Sequence, residues 1–137
     1  MNVFFDASAW VKRYIDEKGS EQVEETSQQA EQVSLSILCI PEVISAFGRL
    51  HREGKITQGQ FKKLQEALFS DIEDVQLINI TTEVISTTVK LIRQYPLRTL
   101  DALHIACAKA GKADLFVTAD QRQEKAANGI GLKTLLV

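Results

Sequence analysis

The chain has 137 residues, enough for one domain and too few for a second. Hydrophobic residues make up 45% and charged residues 25%, which excludes a disordered chain. Formal net charge is −2, from 16 Lys and Arg against 18 Asp and Glu, so bulk positive charge cannot be what binds a nucleic acid here. No apolar run approaches the roughly 20 residues that span a bilayer. The first residues, Met-Asn-Val-Phe-Phe-Asp, carry no basic patch ahead of a long apolar stretch, so no secretory leader is expected. Cys39 and Cys107 sit among apolar neighbours without a ligand-spaced partner. They read as reduced core residues of a cytoplasmic protein rather than a zinc site or a disulfide.

In chain order, Val3-Phe4-Phe5 is a short buried strand ending at Asp6. Ser8 is placed to cap a following helix carrying Ala9, Trp10, Val11 and Tyr14. Ser20 to Gln32 is polar with a thin apolar stripe, the pattern of a surface helix. Gln32–Ser36 reads as a second strand. Pro41 suits the first turn of a helix, with Val43, Ile44, Phe47 and Leu50 facing inward and Gly54 ending it. Thr57 with Gln60 makes a capping box for a helix presenting Phe61, Leu64, Leu68 and Ile72. Val75–Ile80 is a strand, and Thr81 opens a helix bearing Val84, Ile85, Thr88, Val89 and Ile92 that stops before Pro96. Thr99 is placed to cap the next helix, with inner residues Leu103, Ala106, Cys107 and Ala110 and Gly111 at its end. Leu115-Phe116-Val117 is another apolar strand. A short helix broken by Asn128 and Gly129 follows, then a last strand over Leu132–Val137. Alternating strands and helices specify an α/β fold, a three-layer α/β/α sandwich with a mostly parallel central sheet.

Asp6 and Asp120 both follow short apolar strands, at the edge where open parallel sheets bind ligands. Glu42 and Asp101 lie in first turns of helices that start at the same edge. Each acid alone has an ordinary explanation, since the helix dipole favours first-turn acids by roughly 0.3–1 kcal/mol. Asp6 is the exception, because burying a carboxylate against a Val-Phe-Phe strand is costly unless it is paired or metal-bound. Four acids at one edge raise each other's pKa values and call for cations. Oxygen donors suit Mg²⁺ or Mn²⁺, and such ions promote phosphodiester hydrolysis by activating water and neutralising phosphate.

Phe5-Asp6-Ala7-Ser8, Pro41-Glu42-Val43, Leu100-Asp101-Ala102-Leu103-His104-Ile105-Ala106 and Val117-Thr118-Ala119-Asp120 together resemble the PIN-domain nucleases. The likeness is nearest to the VapC-type toxins of toxin–antitoxin pairs, and it runs through the whole chain in order. It implies a single PIN-like nuclease domain over residues 1–137 and endoribonuclease activity dependent on Mg²⁺ or Mn²⁺. It also implies a homodimer and an antitoxin partner protein. By position, Asp6, Glu42, Asp101 and Asp120 match the family's acidic quartet, and Ser8 and Thr118 match its assisting hydroxyls. Asp6 and Asp101 are read as the direct ligands of one metal. Glu42 and Asp120 are assigned to positioning water or a second ion.

Among basic residues, Lys12, Arg13, Arg49, Arg52, Lys55 and Arg98 could contact RNA phosphates, with Arg98 foremost because it precedes the Asp101 helix start. His104 reads as a packed or hydrogen-bonded residue rather than a ligand, and His51 as a surface one. Trp10 and Tyr14, four apart on a helix, read as core or interface. Two other functions stay open at this point. A haloacid-dehalogenase-type phosphatase would use Asp6 as nucleophile, but it wants a second Asp where Ser8 stands. A non-catalytic binding module, or a stand-alone RNA-processing nuclease with no antitoxin, would leave the same sequence.

Overall fold

The computed structural model describes residues 1–137. The order is β1 (Asn2–Phe5), α1 (Ala7–Trp10) running into a 3-10 turn (Val11–Arg13), α2 (Ser20–Gln29), β2 (Gln32–Ser36), α3 (Cys39–Arg52) and α4 (Gln58–Asp71). A 3-10 turn (Ile72–Asp74) leads to β3 (Gln76–Ile78), α5 (Thr82–Gln94), α6 (Thr99–Ala110), β4 (Leu115–Thr118), α7 (Gln121–Gly129) and β5 (Thr134–Leu136). All five strands are parallel, in the order β3-β2-β1-β4-β5. No helix is long and apolar enough to cross a membrane.

Parallel strands buried on both faces read as continuous apolar runs, and β1 and β4 do. Alternate side chains of β1 supply two cores. Val3 and Phe5 join Trp10, Val23, Leu35, Phe47 and Leu68 beneath α1–α4. Phe4 stacks on Phe116 and joins Val84, Leu91 and Ile105 beneath α5–α7. Trp10 and Tyr14 belong to the first core: Trp10 packs on Phe5, and Tyr14 lies edge-on to Phe47 while its hydroxyl donates to Asp71 at 2.8 Å. Both cysteines are free and buried.

Several boundaries depart from the sequence reading. Ser8 does not cap α1; the cap is Asp6, whose carboxylate accepts from the Ala9 N–H. Thr99 does not cap α6 but begins it, with Arg98 at the cap position and no side-chain cap. Gly129 stays inside α7, where any Cβ would collide with the Tyr95 hydroxyl, and Gly131 makes the left-handed turn at φ +93°. His51 is half-buried, edge-on to Phe61, instead of free at the surface. On α5 the inner row is Val84, Thr88 and Leu91, while Ile85, Val89 and Ile92 are 48%, 52% and 40% exposed. The α5 sequence carries two apolar rows one residue apart, and periodicity cannot tell which one the sheet covers.

With β1 central, the chain steps outward to β2 and β3, then returns to build β4 and β5 on the other side. The carboxyl ends of β1 and β4 therefore flank the point where winding direction reverses, where such sheets open a crevice. Asp6, Thr118 and Asp120 stand there.

Candidate active site

Asp6 is the centre of this crevice. Its backbone N–H still belongs to the sheet, donating to the Val117 carbonyl at 3.1 Å, but its side chain leaves the strand. The carboxylate is 1% exposed and accepts from three groups. These are the Ser8 hydroxyl at 2.8 and 2.9 Å, the Ala9 N–H at 2.9 Å and the Thr118 hydroxyl at 2.8 Å. Burial pushes the Asp6 pKa up, and His104 with these hydrogen bonds offsets the push only in part. Ser8 and Thr118 also accept, from the Ala119 N–H and the Asp120 N–H respectively, each at 3.0 Å. Two hydroxyls thus lock the turn after β4 onto the turn after β1.

Asp120 caps α7 by accepting from the N–H groups of Arg122 and Gln123. The buried Gln123 side chain then donates to Asp101 Oδ1 at 3.1 Å, tying α7 to the first turn of α6. Asp101 is half-buried. Its pKa is raised by burial first, then by the nearby Asp120 and Glu42 carboxylates, against lowering by His104 and Arg98. One helical turn beyond Asp101, the buried His104 meets Glu42 Oε1 through Nε2 at 2.8 Å. A carboxylate accepts, so this nitrogen carries the hydrogen. Beneath the group, burial and then Asp6 and Glu42 hold the Cys39 thiol protonated.

The structure therefore brings all four sequence-derived acids to one crevice, with Ser8 and Thr118 beside Asp6 and Arg98 within electrostatic reach of Asp101. Gln123 escaped the sequence reading. Its only trace there was position, three residues after the Asp120 cap, where a glutamine normally turns back to its own helix end. His104, expected to be packed or hydrogen-bonded, is both, and its partner is Glu42.

As the side chains lie, no three of them close on a single ligating point. The donor set nevertheless fits a hard divalent cation. It is four carboxylates and two hydroxyls, all oxygen, with one acid fully buried and another crowded by its neighbours. Carboxylates so placed stay charged together only when cations share the space.

The model of the PIN domain matches residues 3–129. The chain belongs to the PIN-domain family. Ribonuclease VapC45 of Mycobacterium tuberculosis is 30% identical, over 96% of this chain and 92% of that protein. The PIN fold recurs in a toxin–antitoxin complex from Klebsiella pneumoniae, at TM-score 0.68 and 17% identity over 89% of both chains. It recurs again in Mycobacterium tuberculosis VapC20, described as a sarcin–ricin-loop-cleaving toxin, at TM-score 0.70 and 12% identity over 98% and 99% of the two chains. The helices around the parallel sheet are those of the three-layer sandwich expected from the sequence.

Proposed function

We propose that this PIN-domain protein is an Mg²⁺- or Mn²⁺-dependent endoribonuclease, the toxin of a type II toxin–antitoxin pair. The carrying observation is Asp6. This buried carboxylate sits at the sheet edge with three other acids, and burial disfavours its charged form beyond what its protein donors offset, which supports a role in holding a cation. Ribonuclease VapC45 supplies the substrate class, and the toxin–antitoxin complex the kind of partner.

Asp6 and Asp101 would hold the cation, with Glu42 and Asp120 at its periphery. A divalent cation so held supplies charge for a phosphate oxygen and acidifies water. The chain's own residues do the positioning. Ser8 and Thr118 fix both oxygens of Asp6, Gln123 restrains Asp101, and His104 orients Glu42. The apolar row Ile85, Val89 and Ile92 on α5 supports the homodimer reading. Two buried cysteine thiols suit the cytoplasm.

Purified protein should cut RNA in Mg²⁺ or Mn²⁺ and not in chelator. Asp6→Asn and Asp101→Asn should each lower the rate at least about 100-fold while far-UV circular dichroism stays unchanged. Cutting that survives both substitutions, or proceeds in chelator, defeats this reading. A phosphorylated Asp6 trapped by acid quench would assign the crevice to a phosphatase instead.

A further inference from the structure

The sequence offers six basic residues for RNA contact, and the structure divides them. Lys12 pairs with Glu17, Arg13 with Glu24 and Asp71, and Lys55 with Glu53. Arg13 is further committed to the Trp10 ring, 4.8 Å from its centroid. Arg49, Arg52 and Arg98 have no acidic partner, all are exposed, and all three line one groove of about 480 Å³. The rest of its wall is Glu42, Ser45 and Ala46, so the groove begins at an acid of the active site.

Its geometry follows from α3. Glu42, Ser45, Ala46, Arg49 and Arg52 fall at helical spacing on one face, with small residues between the acid and the arginines. At 1.5 Å rise per residue, the Arg49 and Arg52 backbones lie about 10 and about 15 Å along the axis from Glu42. Helical side chains lean toward the N-terminus, here toward the carboxylates. Arg52 shows this lean: its Nη1 lies over Gly48, 3.3 Å from where a Cβ would stand. Across the groove Arg98 occupies the cap position of α6, whose first turn has no side-chain cap, so its N–H groups face the same anion-favouring region. Three guanidinium groups that line one groove, none in an ion pair, with the proposed cation site at the groove's end, match the phosphates of one nucleic-acid strand.

We propose that Arg49, Arg52 and Arg98 form a phosphate track that holds single-stranded RNA on one flank of the scissile bond. This rests on the endoribonuclease reading. The track accounts for how a chain of net charge −2 grips a polyanion: the needed charge is concentrated in a single groove rather than spread over the surface.

The test uses a fluorescein-labelled twelve-nucleotide oligouridylate, with binding followed by anisotropy across a salt series in Mg²⁺, in the Asp101→Asn background. Substituting Arg49→Gln together with Arg52→Gln should weaken binding at least about tenfold. It should also flatten the log–log salt slope by about 1.4, two contacts at about 0.7 each for a single strand. Lys62→Gln with Lys63→Gln, on exposed α4, should change neither. An unchanged slope overturns the track, as does a duplex of equal length that competes as well as the single strand. Retained RNA affinity with lost binding of a hexaglutamate peptide would make the groove a protein-docking surface and overturn it too. Digestion of total RNA by the unsubstituted protein is scored separately. If nothing is cut, the nuclease reading fails while the salt slopes still report on the track.

Discussion

Asp6 does two jobs that pull in opposite directions. As the cap of α1 it contributes about 1 kcal/mol, the usual worth of a side-chain cap. As a buried carboxylate among other acids it opposes folding whenever it is charged, because burial raises its folded pKa above the ordinary 3.8. In the window between 3.8 and the raised value the folded state binds the proton that the unfolded state has released. Stability of cation-free protein therefore falls as pH rises through that window and stays lowered above it. Asp6→Asn keeps a capping oxygen and removes the charge. In chelator it should raise the melting temperature at pH 8, by about 4 °C per kcal/mol gained, and by much less at pH 4. A calorimetric scan at both pH values checks this; equal shifts would show that Asp6 titrates normally. Gln123 is the complementary case, neutral, buried and aimed at Asp101. Gln123→Ala leaves Asp101 free to swing, and should raise the Mg²⁺ concentration for half-maximal cutting several-fold while leaving the rate at saturating Mg²⁺ nearly unchanged.

Among the elements, α5 and α6 show where sequence patterns reach their limit. Thr81 and Thr57 cap their helices as their spacing indicates, the latter in a full capping box. Thr99 and Ser8 have the same capping chemistry but do not cap. At α1 a carboxylate two residues earlier takes the free N–H, which leaves the Ser8 hydroxyl to serve Asp6. At α6 helical geometry starts on the threonine itself. A cap signal marks a helix start without saying which neighbouring acceptor wins it. The doubled apolar stripe of α5 is the same problem in packing: Ile85, Val89 and Ile92 read as core and lie open. If that row meets its copy in a second chain, Val89→Glu should weaken self-association at least about tenfold, or about 1.4 kcal/mol. Sedimentation at several concentrations would show it, with the monomer's melting temperature unaltered because the site faces solvent.

For the molecule as a whole, the layers and strand runs were legible because β1 and β4 must be apolar on both faces and the helices on one. The strand order was not, since every parallel arrangement of these strands presents the same periodicities. The four acids could be placed at one edge from their positions after strands and in first turns. Their coupling could not, because it runs through His104 and Gln123, whose targets are fixed only by tertiary packing. A cation bound at that edge would tie together elements carrying the four acids, so added Mg²⁺ or Mn²⁺ should raise the melting temperature of the unsubstituted protein. Asp6→Asn combined with Asp101→Asn should abolish most of that rise. The winding reversal has a consequence for synthesis. β1 is made first yet waits for β4, more than 100 residues later, to cover its second edge and bring Thr118 and Asp120 to Asp6. A nascent chain still short of β4 lacks both the central strand pair and the lock on Asp6. The surroundings of Asp6 are therefore completed only after β4 has been made, so no segment ending before Thr118 can hold the four acids as the folded chain does.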